Sequence, residues 1–280
     1  MDKKTEGRKK STKKRFSKNK YYLLLGIAVL IVILLFILLV KSLFNFFGPD
    51  YYTVENRSNQ LEQRSDAAKD KDADYDVVGW VKVQGTKIDF PVISRHDENS
   101  HNPVETTAYG WLSNPGDTEY HNVLNIYGHN VMNLSEEPII YDDSFERFEE
   151  LLSFTDYEFA KKNLYFQYTM NGEEHLYKIF AVDILYASSM KGLPKGDYSE
   201  KELTRYIDMV KENSIFDYNV KVSSDDDIIS LITCTGLNSN GIDYNDIVIT
   251  GKKVVAGEKA NAYSVKKTDK YKEIVKKGDD

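Results

Sequence analysis

Cys234 is the single cysteine of a 280-residue chain, and a deprotonated thiol is a soft, strong nucleophile. It closes the apolar run Leu231-Ile232-Thr233-Cys234, just before Thr235-Gly236. Strand ends and the loops beyond them are where a fold displays reactive groups. A free cysteine is equally a small hydrophobe that fills a core. Position alone therefore leaves nucleophile and bystander both open. One cysteine does exclude an intrachain disulfide framework and any zinc site built on several thiolates.

A thiol at neutral pH needs an acid–base partner, and five histidines are available. His96 and His101 fall in a polar stretch that reads as solvated loop. His121 precedes a strand as a turn residue, and His175 follows an Asn-Gly turn as an exposed strand residue. His129 ends Asn125-Ile126-Tyr127-Gly128-His129-Asn130, directly after a strand and a glycine that permits a tight turn. It could partner Cys234, although a lone histidine in such a place is more often structural than catalytic. No metal-ligand spacing and no glycine-rich phosphate loop occurs, so neither metal nor cofactor is expected. Asp225-Asp226-Asp227 reads as a solvated acidic turn, and Asp142-Asp143 as charge favouring a helix start.

The elements that must position these groups are mostly strands. Val77, Gly79, Val81 and Val83 alternate, as do Ile88, Phe90 and Val92. Residues 122–127 form another short strand. Leu164, Phe166, Tyr168 and Met170 alternate up to Asn171-Gly172, and a strand from His175 to about Ala187 completes a hairpin. Two more strands cover residues 228–233 and 247–254. Among the helices, residues 144–152 place Phe145, Phe148 and Leu152 on one stripe. Ser199-Glu200-Lys201-Glu202 is a capping box that opens a helix with Leu203, Tyr206, Ile207 and Val210 facing inward.

The formal charge of −7 hides an asymmetry. Residues 1–20 hold ten Lys/Arg against two Asp/Glu, a net of +8, which leaves −15 on the rest. An acidic outer part disfavours a nucleic-acid partner. Residues 21–40 are twenty positions without a charge, long enough as a helix for roughly 30 Å of hydrocarbon. The run exceeds a signal peptide's apolar region, and no small-x-small site follows it. The organisation expected is a cytoplasmic basic tail (1–20), a transmembrane anchor (21–40) and a stalk or N-terminal helix (41–75). A folded domain (76–255) and a polar, frayed C-terminal tail (256–280) follow. By the positive-inside rule the single-pass anchor has a cytoplasmic N-terminus, and everything after Lys41 lies outside.

Residues 78–92 (VGWVKVQGTKIDFPV), Tyr127-Gly128-His129-Asn130 and Leu231-Ile232-Thr233-Cys234 together resemble, in order, the opening strands, histidine motif and cysteine motif of class B sortases. The resemblance covers roughly residues 75–254. It implies a mainly β fold, a closed eight-stranded sortase-type β-barrel with peripheral helices, preceded by one N-terminal transmembrane helix. It further implies a cysteine transpeptidase with His129 and Cys234 as catalytic residues. The thiolate would attack the Thr carbonyl of an LPxTG- or NPxTN-like sorting signal, and a cell-wall precursor amine would resolve the thioester. Partners would be sorting-signal-bearing surface proteins, that amine, and the membrane through residues 21–40. Residues 188–227 match the place where class B members insert a helix beside the groove.

The chain departs from the family at one position. Sortases carry an Arg near the start of the strand after the Cys, where it holds the substrate carbonyl or its oxyanion. Here that stretch reads Tyr244-Asn245-Asp246-Ile247, and no Arg follows Arg205. One oxyanion donor is worth about 10²–10³ in rate, and an ionised Asp there would repel the oxyanion. Three readings follow. Asn245, with Thr233, binds the substrate or its oxyanion; another cation (Arg205, Arg95 or Lys252) reaches the groove; or the chain is a weakly active or inactive homologue acting as a surface peptide-binding module.

Overall fold

The alternating segments do become strands, and they close on themselves. The computed structural model describes residues 18–47, 75–96, 110–113, 121–130, 148–186, 197–235, 238–239, 242–255, 258 and 264–275. The chain divides into two units, Met1–Tyr51 and Tyr52–Asp280. In the second lie β1 (Tyr75–Val83), β2 (Asp89–Arg95), β3 (Gly110–Leu112), β4 (Val123–Gly128), β5 (Tyr165–Met170), β6 (Glu173–Tyr186), β7 (Phe216–Asp217), β8 (Ile228–Cys234), β9 (Asn238–Ser239), β10 (Ile242–Lys253) and β11 (Lys266–Lys267). The order β6-β5-β1-β2-β3-β4-β8-β10 returns to β6 through a β6–β10 pairing, which makes an eight-stranded closed barrel. Closure leaves no long edge strand to aggregate. Short β9 adds to one end of β10, and β7 pairs separately with β11.

The hairpin between β5 and β6 turns at Asn171 (φ 54°) and Gly172 (φ 78°), the two left-handed residues of a tight two-residue turn. Inside the barrel, Val81, Val83, Val92, Leu112, Ile126, Leu231, Ile247 and Ile249 are buried in one apolar cluster. At about 25 cal/mol per Å² of apolar surface, this cluster is the main stabilising element. The helix α3 (Glu200–Asn213) forms as its capping box predicts, with Leu203, Tyr206, Ile207 and Val210 buried. Its α2 neighbour in the chain (Tyr157–Ala160) is a single turn capped by Asp156, whose carboxylate accepts from Phe159 N at 2.7 Å.

Two expectations need correction. Residues 148–155 form a 3₁₀ helix buried at all eight positions, not an amphipathic α-helix. It reaches the β1–β2 turn, where Glu150 accepts from Lys87 N at 2.6 Å; Phe145 lies outside the described residues. The C-terminal stretch is not frayed throughout. Lys266 and Lys267 pair with β7, and α4 (Asp269–Ile274) follows. Val265 and Ile274 are buried and Tyr271 lies 5.3 Å from the Phe216 ring. Three apolar anchors spaced among lysines give too sparse a pattern to announce this docking.

In the first unit, α1 (Lys18–Phe47) is a 30-residue helix, about 45 Å long at 1.5 Å per residue. Its described apolar side chains, among them Leu25, Leu30, Leu34 and Phe36, are exposed. The uncharged run of residues 21–40 lies within it. Counted over the described side chains alone, no helix is long and apolar enough to cross a membrane. The basic cluster before residue 18 and the stalk over residues 48–74 lie outside the described residues.

Candidate active site

Barrel topology brings the two sequence-predicted catalytic residues together. β4 and β8 run parallel, with Tyr127 level with Ile232 and Gly128 level with Thr233. His129 and Cys234 are each the next residue, so both emerge at the same barrel end from neighbouring strands. In such a pairing, partner side chains share a face. Leu124, Ile126 and Gly128 face inward with Ile229, Leu231 and Thr233. Asn125 and Tyr127 face outward with Ser230 and Ile232. The outer face is the one α3 covers, since the Tyr206 and Ser230 hydroxyls meet at 2.9 Å.

Cys234 is exposed, which resolves the open choice away from a core bystander. Two contacts lock its strand end to that of His129. The Thr233 hydroxyl donates to Gly128 O at 2.8 Å, and Asn130 Nδ2 donates to Cys234 O at 2.7 Å. Thr233 is buried, so its hydroxyl joins the two strands on the inner face instead of opening onto the face of Cys234. The His129 ring lies 4.7 Å from that of Trp111 at 47°, and Trp111 stacks on Tyr127 at 6.0 Å. The His129 carbonyl accepts from Phe148 N at 3.2 Å.

Gly128 has a reason different from the turn expected of it. Its φ is not in the left-handed region. A Cβ there would stand 2.1 Å from Cγ of Phe148, the first residue of the 3₁₀ helix. Glycine is required because a phenyl ring packs on the backbone immediately before His129.

Across the other edge of β8, Asp246 of β10 is the direct register partner of Cys234. The position opposite the thiol therefore carries a carboxyl group. Burial pushes the Asp246 carboxyl up to about 6. Burial and then the Asp246 charge raise the Cys234 thiol above its ordinary value, and the same two causes raise Tyr127. Asn245 sits in β10 beside a bulge, where Tyr244 and Asp246 oppose Tyr186 and Leu185; its side chain lies outside the described residues.

The alternative cations do not gather at this place. Lys252 is ion-paired to Asp226 at 2.8 Å and Glu258 at 3.5 Å, six residues or about 20 Å along β10 from Asp246. Arg205 is exposed on the solvent side of α3. Arg95 ends β2 level with Tyr75 at the start of β1, beyond the Ile93–Trp111 pair and away from the strand-end row. The remaining histidines take other roles. His96 meets Asp76 at 3.2 Å and His121 meets Asp197 at 3.3 Å. His175 is more buried than an exposed strand residue would be, and burial lowers its pKa. His101 and Asp142-Asp143 lie outside the described residues. The acidic turn is ion-paired through Asp226 and Asp227, and no metal-holding cluster occurs among the described residues.

No family model matches the chain. The sortase B of Listeria monocytogenes is 28% identical over 193 residues, covering 64% of this chain and 70% of the relative. A mutant form of Clostridium perfringens sortase B superimposes with a TM-score of 0.57 at 22% identity, over 73% of this chain and 92% of that one. The chain is a sortase B homologue. The barrel of this homologue also matches a sortase B complexed with triglycine (TM-score 0.54, 16% identity, 78% and 92% coverage). A Staphylococcus aureus sortase B–substrate complex matches at a TM-score of 0.51 and 19% identity, over 71% and 87% of the two chains. At those identities the structures speak for the fold. Sequence reasoning assigned no role to Asn130 or Trp111; Asn130 was signalled by its place beside His129, whereas nothing local marked Trp111.

Proposed function

We infer that this homologue is a cysteine transpeptidase anchored in a Gram-positive cell membrane. The observation that carries the reading is the parallel β4–β8 register, which delivers an exposed thiol and an imidazole side by side at one barrel end. Cys234 attacks the Thr carbonyl of a C-terminal sorting signal of LPxTG or NPxTN type and forms a thioester. His129 protonates the departing amine, then deprotonates the cell-wall amine that takes over the acyl group. The similar sortase B structures complexed with substrate and with triglycine support binding of a peptide and of an amine nucleophile. The apolar run inside α1 and the +8 segment before it support a single-pass anchor, cytoplasmic N-terminus and extracellular barrel.

Mass spectrometry of the full chain in detergent, mixed with a small sorting-peptide library, tests this. Wild type should gain the acyl mass on Cys234 and Cys234→Ala should gain none. Equal peptide cleavage by the two would sink the thiol mechanism. One observation favours a second reading, a peptide-binding surface module without turnover: the carboxyl opposite Cys234 raises the thiol where sortases place a cation. Peptide retention without an acyl adduct would support it.

A further inference from the structure

We propose that Asp246, as a neutral carboxylic acid, is the hydrogen-bond donor to the acyl oxygen at Cys234, so that this chain replaces an arginine's charge with a proton. The proposal rests on the transpeptidase reading. Its basis is geometric. Asp246 is the register partner of Cys234, so their side chains leave the same face of adjacent strands. It makes no ion pair among the described residues, unlike Lys252 and Lys253 farther along β10, each of which has a carboxylate partner.

Among the described residues no lysine or arginine raises or lowers the Asp246 carboxyl; the neighbour that takes up a proton during the reaction is His129. From β8 comes the Cys234 thiol; from β4 come Tyr127, which feels the Asp246 charge, and the end of the strand bearing His129. The register partner on β6 is Leu185. One step along that face lies Asp183, level with Val248, a fully buried carboxyl that desolvation holds well above the usual range. From α3 the nearest ionisable group over Asp183 is Tyr206. Burial favours the uncharged acid at Asp246, whose folded value is about 6.

The step balances without any further reactant. Cys234 Sγ, as thiolate, bonds the acyl carbon, and the carbonyl π pair moves onto oxygen. The Asp246 O–H donates to that oxyanion and keeps its proton. Collapse restores the carbonyl and breaks the C–N bond, while protonated His129 gives its proton to the departing amine. The acceptor amine then attacks the thioester, His129 takes up its proton, and Cys234 leaves as thiolate. With Asp246 ionised, the same position would repel both thiolate and oxyanion.

The test compares full-length wild type, Asp246→Asn and Asp246→Ala in detergent between pH 5 and 7.5, following acyl-adduct formation with the sorting-peptide library. The Asn amide donates at every pH. The ratio of Asp246→Asn to wild-type rate should therefore rise about thirty-fold across this range, as the neutral fraction of Asp246 in wild type falls to about 3% at 1.5 units above its midpoint. Asp246→Ala should be slower than wild type at pH 5 by about 10²–10³. A flat ratio overturns the proposal alone, as does an Asn variant as slow as Ala, which would make the carboxylate a base. Absence of adduct in every protein at every pH overturns the transpeptidase reading and the proposal together. Iodoacetamide labelling of Cys234 gives a readout without turnover: the thiol should titrate lower in Asp246→Asn than in wild type, and identical profiles overturn the proposal whatever the peptides do.

Discussion

The two ends of the β8–β10 ladder handle charge in opposite ways. At one end Asp246 faces Cys234 with no described cation beside it. At the other, Lys252 pairs in register with Lys178 of β6, and both amines are nearly buried. There Asp226 and Glu258 neutralise the two lysines at 2.8 Å each, and burial and pairing hold together. The same strands thus carry a compensated ionic cluster and an uncompensated carboxyl about 20 Å apart. Compensation builds the barrel, and its absence leaves a group free to change protonation where chemistry takes place.

Breaking the compensated end should have the largest effect. Lys252→Met leaves Asp226 nearly buried without its cation, and should cost about 3 kcal/mol of stability, read as a lower denaturant midpoint. The double variant Lys252→Met/Asp226→Leu should recover most of that loss, and adduct formation per folded molecule should be unchanged in both. At the reactive end, Gly128→Ala forces Phe148 off the backbone. A shift of His129 by about 1 Å should slow adduct formation about 10²-fold, more than the accompanying loss of stability would explain. Trp111→Ala removes the ring against His129 and Tyr127 and should slow the reaction about tenfold by loosening the imidazole, with Trp111→Phe restoring part of it.

The smallest effect sharpens the comparison most directly. The folded value of Asp246, about 6, is above its unfolded value of about 3.9. Its contribution to stability is therefore complete below about pH 3.9 and is lost as pH rises through about 6. Asp246→Asn does not titrate, so its stability relative to wild type should grow between pH 4 and 8. Because the carboxyl is partly exposed and screened, that gain should be about 1 kcal/mol. A difference independent of pH would mean that Asp246 is already compensated.

What could be read in the sequence divides along the same physical line. Local patterns were legible. Alternation marked β1, β2 and β5, an apolar run marked β8, Asn171-Gly172 marked the hairpin, and the Ser199 box marked α3 together with its four buried residues. Cys234 and His129 were legible because a strand end is a local feature. Contacts between distant strands were not. Nothing near Asp246 announces that it pairs with Cys234 and not with a residue one step away, and a one-residue slip would send it to the other face. Thr233 shows the same limit: it is adjacent to Cys234 in sequence, but its hydroxyl lies on the opposite face in the sheet, bonded to Gly128 O. Gly128 was marked as special, but the reason, the Phe148 ring, lies twenty residues onward.

The parallel pairing of β4 with β8 has a consequence for how the chain matures. Its contacts span 105 residues, and pairings of such long range form late because the loop between them must first be closed. A chain still emerging from the ribosome, or only partly refolded, carries its thiol with no imidazole beside it. Under the proposed mechanism, acyl transfer is thereby withheld until β8 has paired with β4, and an immature molecule has no assembled centre with which to acylate its neighbours.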